Sequence, residues 1–186
     1  MTATEKYFNK LSPAATLAVF RMGFGFMLLA SIVRFWQKGW ITDLYVTPKY
    51  FFSYYGFEFI KPLGSYTYIL FIICGLSAFL VAIGLFYRFA VICLFLSFTY
   101  IELIDKTTYL NHYYFISLVC FLLIFLPAQV CFSVDAFRKN TLKKGFVPQW
   151  NVDVLKLMMA IVYIFAGLAK INSDWLIHAQ PLKIWL

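Results

Sequence analysis

Five long apolar stretches run through this chain, over approximately 14–35, 65–86, 89–104, 109–126 and 152–169. Each is about the length that crosses a bilayer as a helix, roughly 20 residues for about 30 Å of hydrocarbon. Lipid offers no partner to a backbone N–H or C=O, so a spanning segment must satisfy its own hydrogen bonds. The runs are continuous rather than alternating, which favours helices over barrel strands. Only 13% of the residues are charged and 63% are hydrophobic, against about a quarter charged in a soluble domain. The expected fold is all-α: a single polytopic transmembrane helix bundle over 1–186, with about five spans plus an interfacial segment.

The formal net charge is +8. The basic residues stand at the ends of apolar runs, where they anchor and orient a membrane protein. That distribution argues against nucleic-acid binding and makes the lipid bilayer the first partner. Cys74, Cys93, Cys120 and Cys131 form no CxxC and no Cys/His cluster, so they read as small apolar side chains. With His178 far off in the tail, no metal is expected at His112. The first apolar run is too long for a cleavable leader and lacks a closing cleavage site.

Ser12-Pro13 introduces the first span as cap and first helical residue, and Gly23 and Gly25 permit close helix contact. The stretch from Trp36 to Leu63 mixes Trp and Tyr with lysine and proline. It reads as an interfacial connection with a short helix near Lys49–Tyr55. Tyr87-Arg88 reads as the turn between the second and third spans. The loop from Ala128 to Asn151 is the most basic. The positive-inside rule then puts it and the N-terminus in the cytoplasm. Asn111-His112 and Lys170 fall together on the opposite face.

Lys170 ends the last apolar run. A partly desolvated lysine supplies a neutral amine for proton abstraction, whereas a snorkelling lysine only anchors the helix. His112 can donate to a developing anion or relay a proton, or it is an interfacial histidine without a role. Asn111 can fix a substrate oxygen. Glu102 and Asp105 share a helix face, either as functional intramembrane carboxylates or in a structural ion pair with Lys106 or Lys170. Asp174 can cap a turn or pair with a base. Arg21, Arg34 and Arg88 read as boundary or helix-pairing charges.

Ile104-Asp105-Lys106-Thr107 followed by Asn111-His112, and Tyr163-Ile164-Phe165-Ala166-Gly167-Leu168-Ala169-Lys170 continuing to Trp175, resemble the vitamin K-dependent gamma-glutamyl carboxylase family. Ser133-Val134-Asp135 matches a further family element. The resemblance covers nearly the whole chain and corresponds to the family's membrane portion, a horizontally transferred transmembrane domain. It implies an enzyme of the lyase class that uses reduced vitamin K (the hydroquinone), dioxygen and carbon dioxide. In that family a lysine deprotonates the hydroquinone, and reaction with dioxygen yields a strong base. That base takes a gamma proton from a glutamate in a peptide substrate, the carbanion takes up carbon dioxide, and the quinone leaves as its epoxide.

On this resemblance Lys170 and His112 are catalytic, Asn111 and Tyr163 bind substrate, and Asp105, Glu102 and Asp174 are supporting charges. Two departures stand out. The family commonly has a lysine where this chain has Ala169, and its large peptide-binding part after the helices is not present up to Leu186. The chain is therefore expected to be the N-terminal part of a longer protein, with quinol epoxidation the firmer expectation and carboxylation the weaker. The alternative is a non-catalytic membrane module that binds a lipid, a quinone or a partner helix. A small transporter is disfavoured because five spans show no internal repeat.

Overall fold

In the computed structural model, residues 2–177 and 179 are described. In chain order the elements are α1 (Ala3–Phe8), β1 (Leu11–Pro13), α2 (Ala14–Gln37), α3 (Thr67–Ile83), α4 (Tyr87–Ile104), α5 (Asn111–Phe125), α6 (Val134–Arg138), β2 (Phe146–Pro148), α7 (Trp150–Leu168) and α8 (Ser173–Leu176). The chain is an all-α bundle with a single short two-stranded ladder, β1 against β2, among the described residues. It forms two compact units: Leu11–Val147, and 1–10 together with 148–186.

Among the described residues four helical segments are long and apolar enough to cross a membrane: Ala14–Gln37, Gly64–Ile83, Tyr87–Ile104 and Trp150–Leu168. Helix α5 has 15 residues, about 22 Å at 1.5 Å per residue, and is the shortest of the apolar helices.

Within Leu11–Val147, α2 packs on α3, α3 on α4 and α4 on α5. Close approach of α2 and α3 needs Gly25, where a Cβ would sit 2.8 Å from the Ala78 carbonyl oxygen and the Ala82 Cα. Gly23 has open space instead. Arg21, fully buried, lies at the centre of one end of this unit. Its guanidinium donates to the carbonyls of Val81 (2.6 Å), Ala82 (2.8 Å), Ala128 (3.1 Å) and Phe132 (2.6 Å). A helix leaves its last carbonyls without their usual partners, and Arg21 donates to two of those of α3, of which Val81 also accepts from Gly84 N–H at 3.1 Å. Of the two expectations, boundary or helix-pairing charge, Arg21 is the second, an internal clamp between α2 and α3. Gly84, at φ +68°, ends α3; a Cβ there would meet the Arg21 guanidinium at 2.6 Å.

The same end carries the α3–α4 turn. Asp135 accepts from the backbone N–H of Phe86 (3.0 Å) and Tyr87 (2.9 Å), so a residue from the first turn of α6 caps α4. The turn is Gly84–Phe86, with Phe86 in the left-handed region at φ 47°, and Tyr87 is already helical. This corrects the sequence expectation of a turn at Tyr87-Arg88. Tyr87 Oη donates to the Leu123 carbonyl at 2.7 Å, joining α4 to α5.

At the far end of α4 the long connection folds back. Lys106 N–H donates to the Phe52 carbonyl at 2.9 Å, and Tyr100 Oη to that of Lys61 at 3.0 Å. The connection's helical piece is a π-turn at Thr42–Val46, not Lys49–Tyr55. Ser12 lies in β1 and Pro13 flanks α2 without any side-chain cap, so the expected Ser-Pro start shifts to Ala14. All four cysteines are free.

Candidate functional site

The expected site residues fall in both units: Asn111, His112, Glu102 and Asp105 in one, Tyr163, Lys170 and Asp174 in the other. Each group has its own local geometry.

Lys170 follows α7 in a turn, its N–H bonded to the Gly167 carbonyl at 3.0 Å. The side chain is exposed and its Nζ stands 5.0 Å over the Trp175 ring. Asn172 holds that arrangement. Its Nδ2 donates to the Ala169 carbonyl at 3.1 Å, and its Oδ1 accepts from Trp175 N–H at 3.0 Å. One carboxamide thus caps α8 and fastens it to the end of α7, which presents the indole to the ammonium. Asp174 lies in the first turn of α8, and the cap is Asn172 rather than Asp174. Tyr163 is exposed on α7, two turns before Lys170.

Asn111 and His112 open α5 and are exposed. The His112 ring meets Tyr113 edge to face at 4.6 Å. Beneath them lies a polar cluster built by α4, α5 and the folded-back connection. Glu102 is buried and accepts from Ser117 Oγ at 2.5 Å. Asp105 Oδ1 accepts from the N–H of Thr107 (3.0 Å) and Phe52 (3.3 Å). From the sequence these carboxylates are either functional groups or ion-pair partners of a lysine such as Lys106. Among the described residues their hydrogen-bond partners are a hydroxyl and backbone amides instead, and Lys106 is exposed. Asp105 is a corner brace: a short carboxylate reaches two adjacent amides more easily than its neighbour's ammonium.

Three tyrosines complete the cluster, and the sequence did not single them out. Tyr45, on the π-turn, is buried. Burial pushes its phenol up to about 12, opposed by the Thr108 hydroxyl, with Tyr113, Asp105 and Glu102 adding lesser rises. The buried Tyr54 hydroxyl has no hydrogen-bond partner among the described residues. Its phenol is raised as well, chiefly by burial and then by Glu102, Tyr109 and Asp105. Tyr113, with Phe35, Phe71, Phe98, Cys74 and Glu102, lines a cavity of about 40 Å³. The only sequence signal was the crowding of tyrosines at apolar-run ends, which lipid anchoring explains equally well.

Within Leu11–Val147 an imidazole can exchange protons, and an amide and phenols can hydrogen-bond; within the other unit an amine stands over an indole. The 40 Å³ cavity has room for a few waters only, so a fused-ring quinol does not fit inside it.

Long apolar helices, few charges and polar clusters at the helix ends define a polytopic helical membrane protein. The HTTM domain matches residues 9–186, and the chain belongs to that family. This is the domain that makes up the membrane portion of the vitamin K-dependent carboxylase family. No solved structure matches the chain.

Proposed function

We propose that this HTTM module acts on a reduced vitamin K-type quinol, with Lys170 as its base. The observation that carries the reading is the family match, which spans both Asn111-His112 and Lys170. When bound, the quinol would supply, together with dioxygen, the strong base needed to take a gamma proton from a glutamate-containing peptide, carbon dioxide being the added carbon. Lys170 accepts a proton at Nζ, which stands 5.0 Å over the Trp175 ring. His112 donates a hydrogen bond to a developing anion. Asn111 and Tyr163 orient hydroxyls. Carboxylation is the weaker half of the reading. The basic loop after α5 is assigned to the cytoplasm with the N-terminus, and the site to the opposite face.

A second reading has its own support. An exposed lysine over an indole is also how a helix is moored at a membrane boundary, and that would suit a non-catalytic module binding a lipid, a quinone or a partner helix. One experiment separates the two. The purified chain is supplied with quinol and oxygen, and epoxide is measured by mass spectrometry. Loss of a positioned base or acid costs about 10²- to 10⁴-fold, so Lys170→Ala should fall by at least the lower figure, and His112→Ala should fall too. Turnover unchanged in Lys170→Ala removes it as the base. Quinol binding without turnover, indifferent to His112→Ala, favours the mooring reading.

A further inference from the structure

The end of the Leu11–Val147 unit remote from His112 holds a second polar feature, which the quinol reading does not use. A pocket of about 400 Å³ opens between the α3–α4 turn and the basic loop. Arg88, Arg138 and Lys139 line it with Gln129, Asp135 and two phenylalanines, Phe86 and Phe89. Three cations face one carboxylate, and that carboxylate is already committed to the amides of Phe86 and Tyr87. Positive charge is therefore in excess. The Arg138 guanidinium lies 5.4 Å over the Phe86 ring, which steers it to the lip. The buried Gln129 amide oxygen has no hydrogen-bond partner among the described residues.

The surroundings say what kind of anion this pocket would meet. Phe86 is 59% exposed, Phe89 70% and Phe137 88%. The turn joins two helices that are each long and apolar enough to cross a bilayer, so the turn lies at the level where hydrocarbon gives way to headgroups. Exposed phenyl rings beside a basic pocket suit a ligand with a phosphate at one end and acyl chains at the other. A free phosphate leaves the rings unexplained. Basic pockets between spanning helices are recognised headgroup sites.

The geometry points to an anionic phospholipid site here. Arg88, Arg138 and Lys139 take the headgroup phosphate, and Gln129 accepts from a headgroup hydroxyl or amine. The acyl chains run along Phe86 and Phe89. The test uses the full chain in nonionic detergent, with native mass spectrometry against phosphatidylglycerol and phosphatidylcholine. The wild type should hold phosphatidylglycerol preferentially. Removing two surface-level cations in the Arg138→Gln/Lys139→Gln variant should weaken it about 30-fold, with phosphatidylcholine binding unchanged. Far-UV circular dichroism establishes that the variant is folded, and the wild-type preference stands as a measurement independent of any variant. Equal binding of the two lipids by the wild type overturns the proposal, as does undiminished phosphatidylglycerol binding by the folded variant. Full displacement by millimolar inorganic phosphate overturns it too, in favour of a soluble phosphate ligand.

Discussion

Tyr45 ties a residue's environment to a measurable pH dependence. Its phenol stands at about 12 in the folded chain, against about 10 for an unperturbed tyrosine. Below pH 10 the phenol is protonated in both folded and unfolded states, and its contribution to stability is intact. Between about 10 and 12 the unfolded chain releases the proton while the folded one holds it, so stability falls as pH rises. Two pH units correspond to about 2–3 kcal/mol. Tyr45→Phe should remove that part of the alkaline loss, so that its melting temperature declines less steeply than the wild type's from pH 10 to 12. Parallel curves for the two proteins would mean that Tyr45 is solvated. Neither Tyr45 nor Arg21 was legible in the sequence for what it does. Arg21 reads from the sequence as a boundary or helix-pairing charge, with no way to choose, because its partners are carbonyls 60 to 111 positions away. A carbonyl is present at every residue, so no sequence pattern marks such a partner.

At the scale of elements, what could be read was what depends on local apolar continuity. The four long helices coincide within a few residues with the apolar runs, because lipid compatibility and helix formation ask for the same continuous pattern. Connections were harder. The α3–α4 turn lies two to three residues earlier than expected because its cap, Asp135, comes from α6, beyond α5. The α7–α8 joint shows the reverse case: Asn172 makes only local bonds, yet Lys170 and Asp174 drew attention first because they are charged. Asn172→Ala should cost about 1 kcal/mol of local capping and release the indole from Lys170. With 5-fluorotryptophan incorporated, the Trp175 resonance (assigned through Trp175→Phe) should shift in Asn172→Ala in the same direction as in Lys170→Gln. A resonance that moves in the lysine variant alone would show that the carboxamide does not hold the joint.

For the molecule as a membrane protein, the hydrogen bonds within Leu11–Val147 define two opposite ends. Arg21 and Asp135 gather the segment 128–135 to the end where α3 stops and α4 starts. Phe52, Lys61 and Asp105 gather the connection 38–63 to the end where α4 stops and α5 starts. Helix α4 has 18 residues, so these ends are about 27 Å apart along its axis, close to the thickness of the hydrocarbon. Helix α5 covers about 22 Å, and the extended residues at its caps, Leu110 and Leu126, must supply the rest if the two ends face different compartments. Cysteines introduced at exposed positions test this directly. In a Cys131→Ser background, Tyr55→Cys and Lys144→Cys both lie at exposed positions. A membrane-impermeant maleimide should label them from opposite sides of sealed vesicles, Lys144→Cys from the cytoplasmic side. Labelling of both from one side would mean that α5 does not complete a crossing. The Asn111-His112 end and the basic pocket would then face the same compartment, and the five-span reading of the sequence would fail with them.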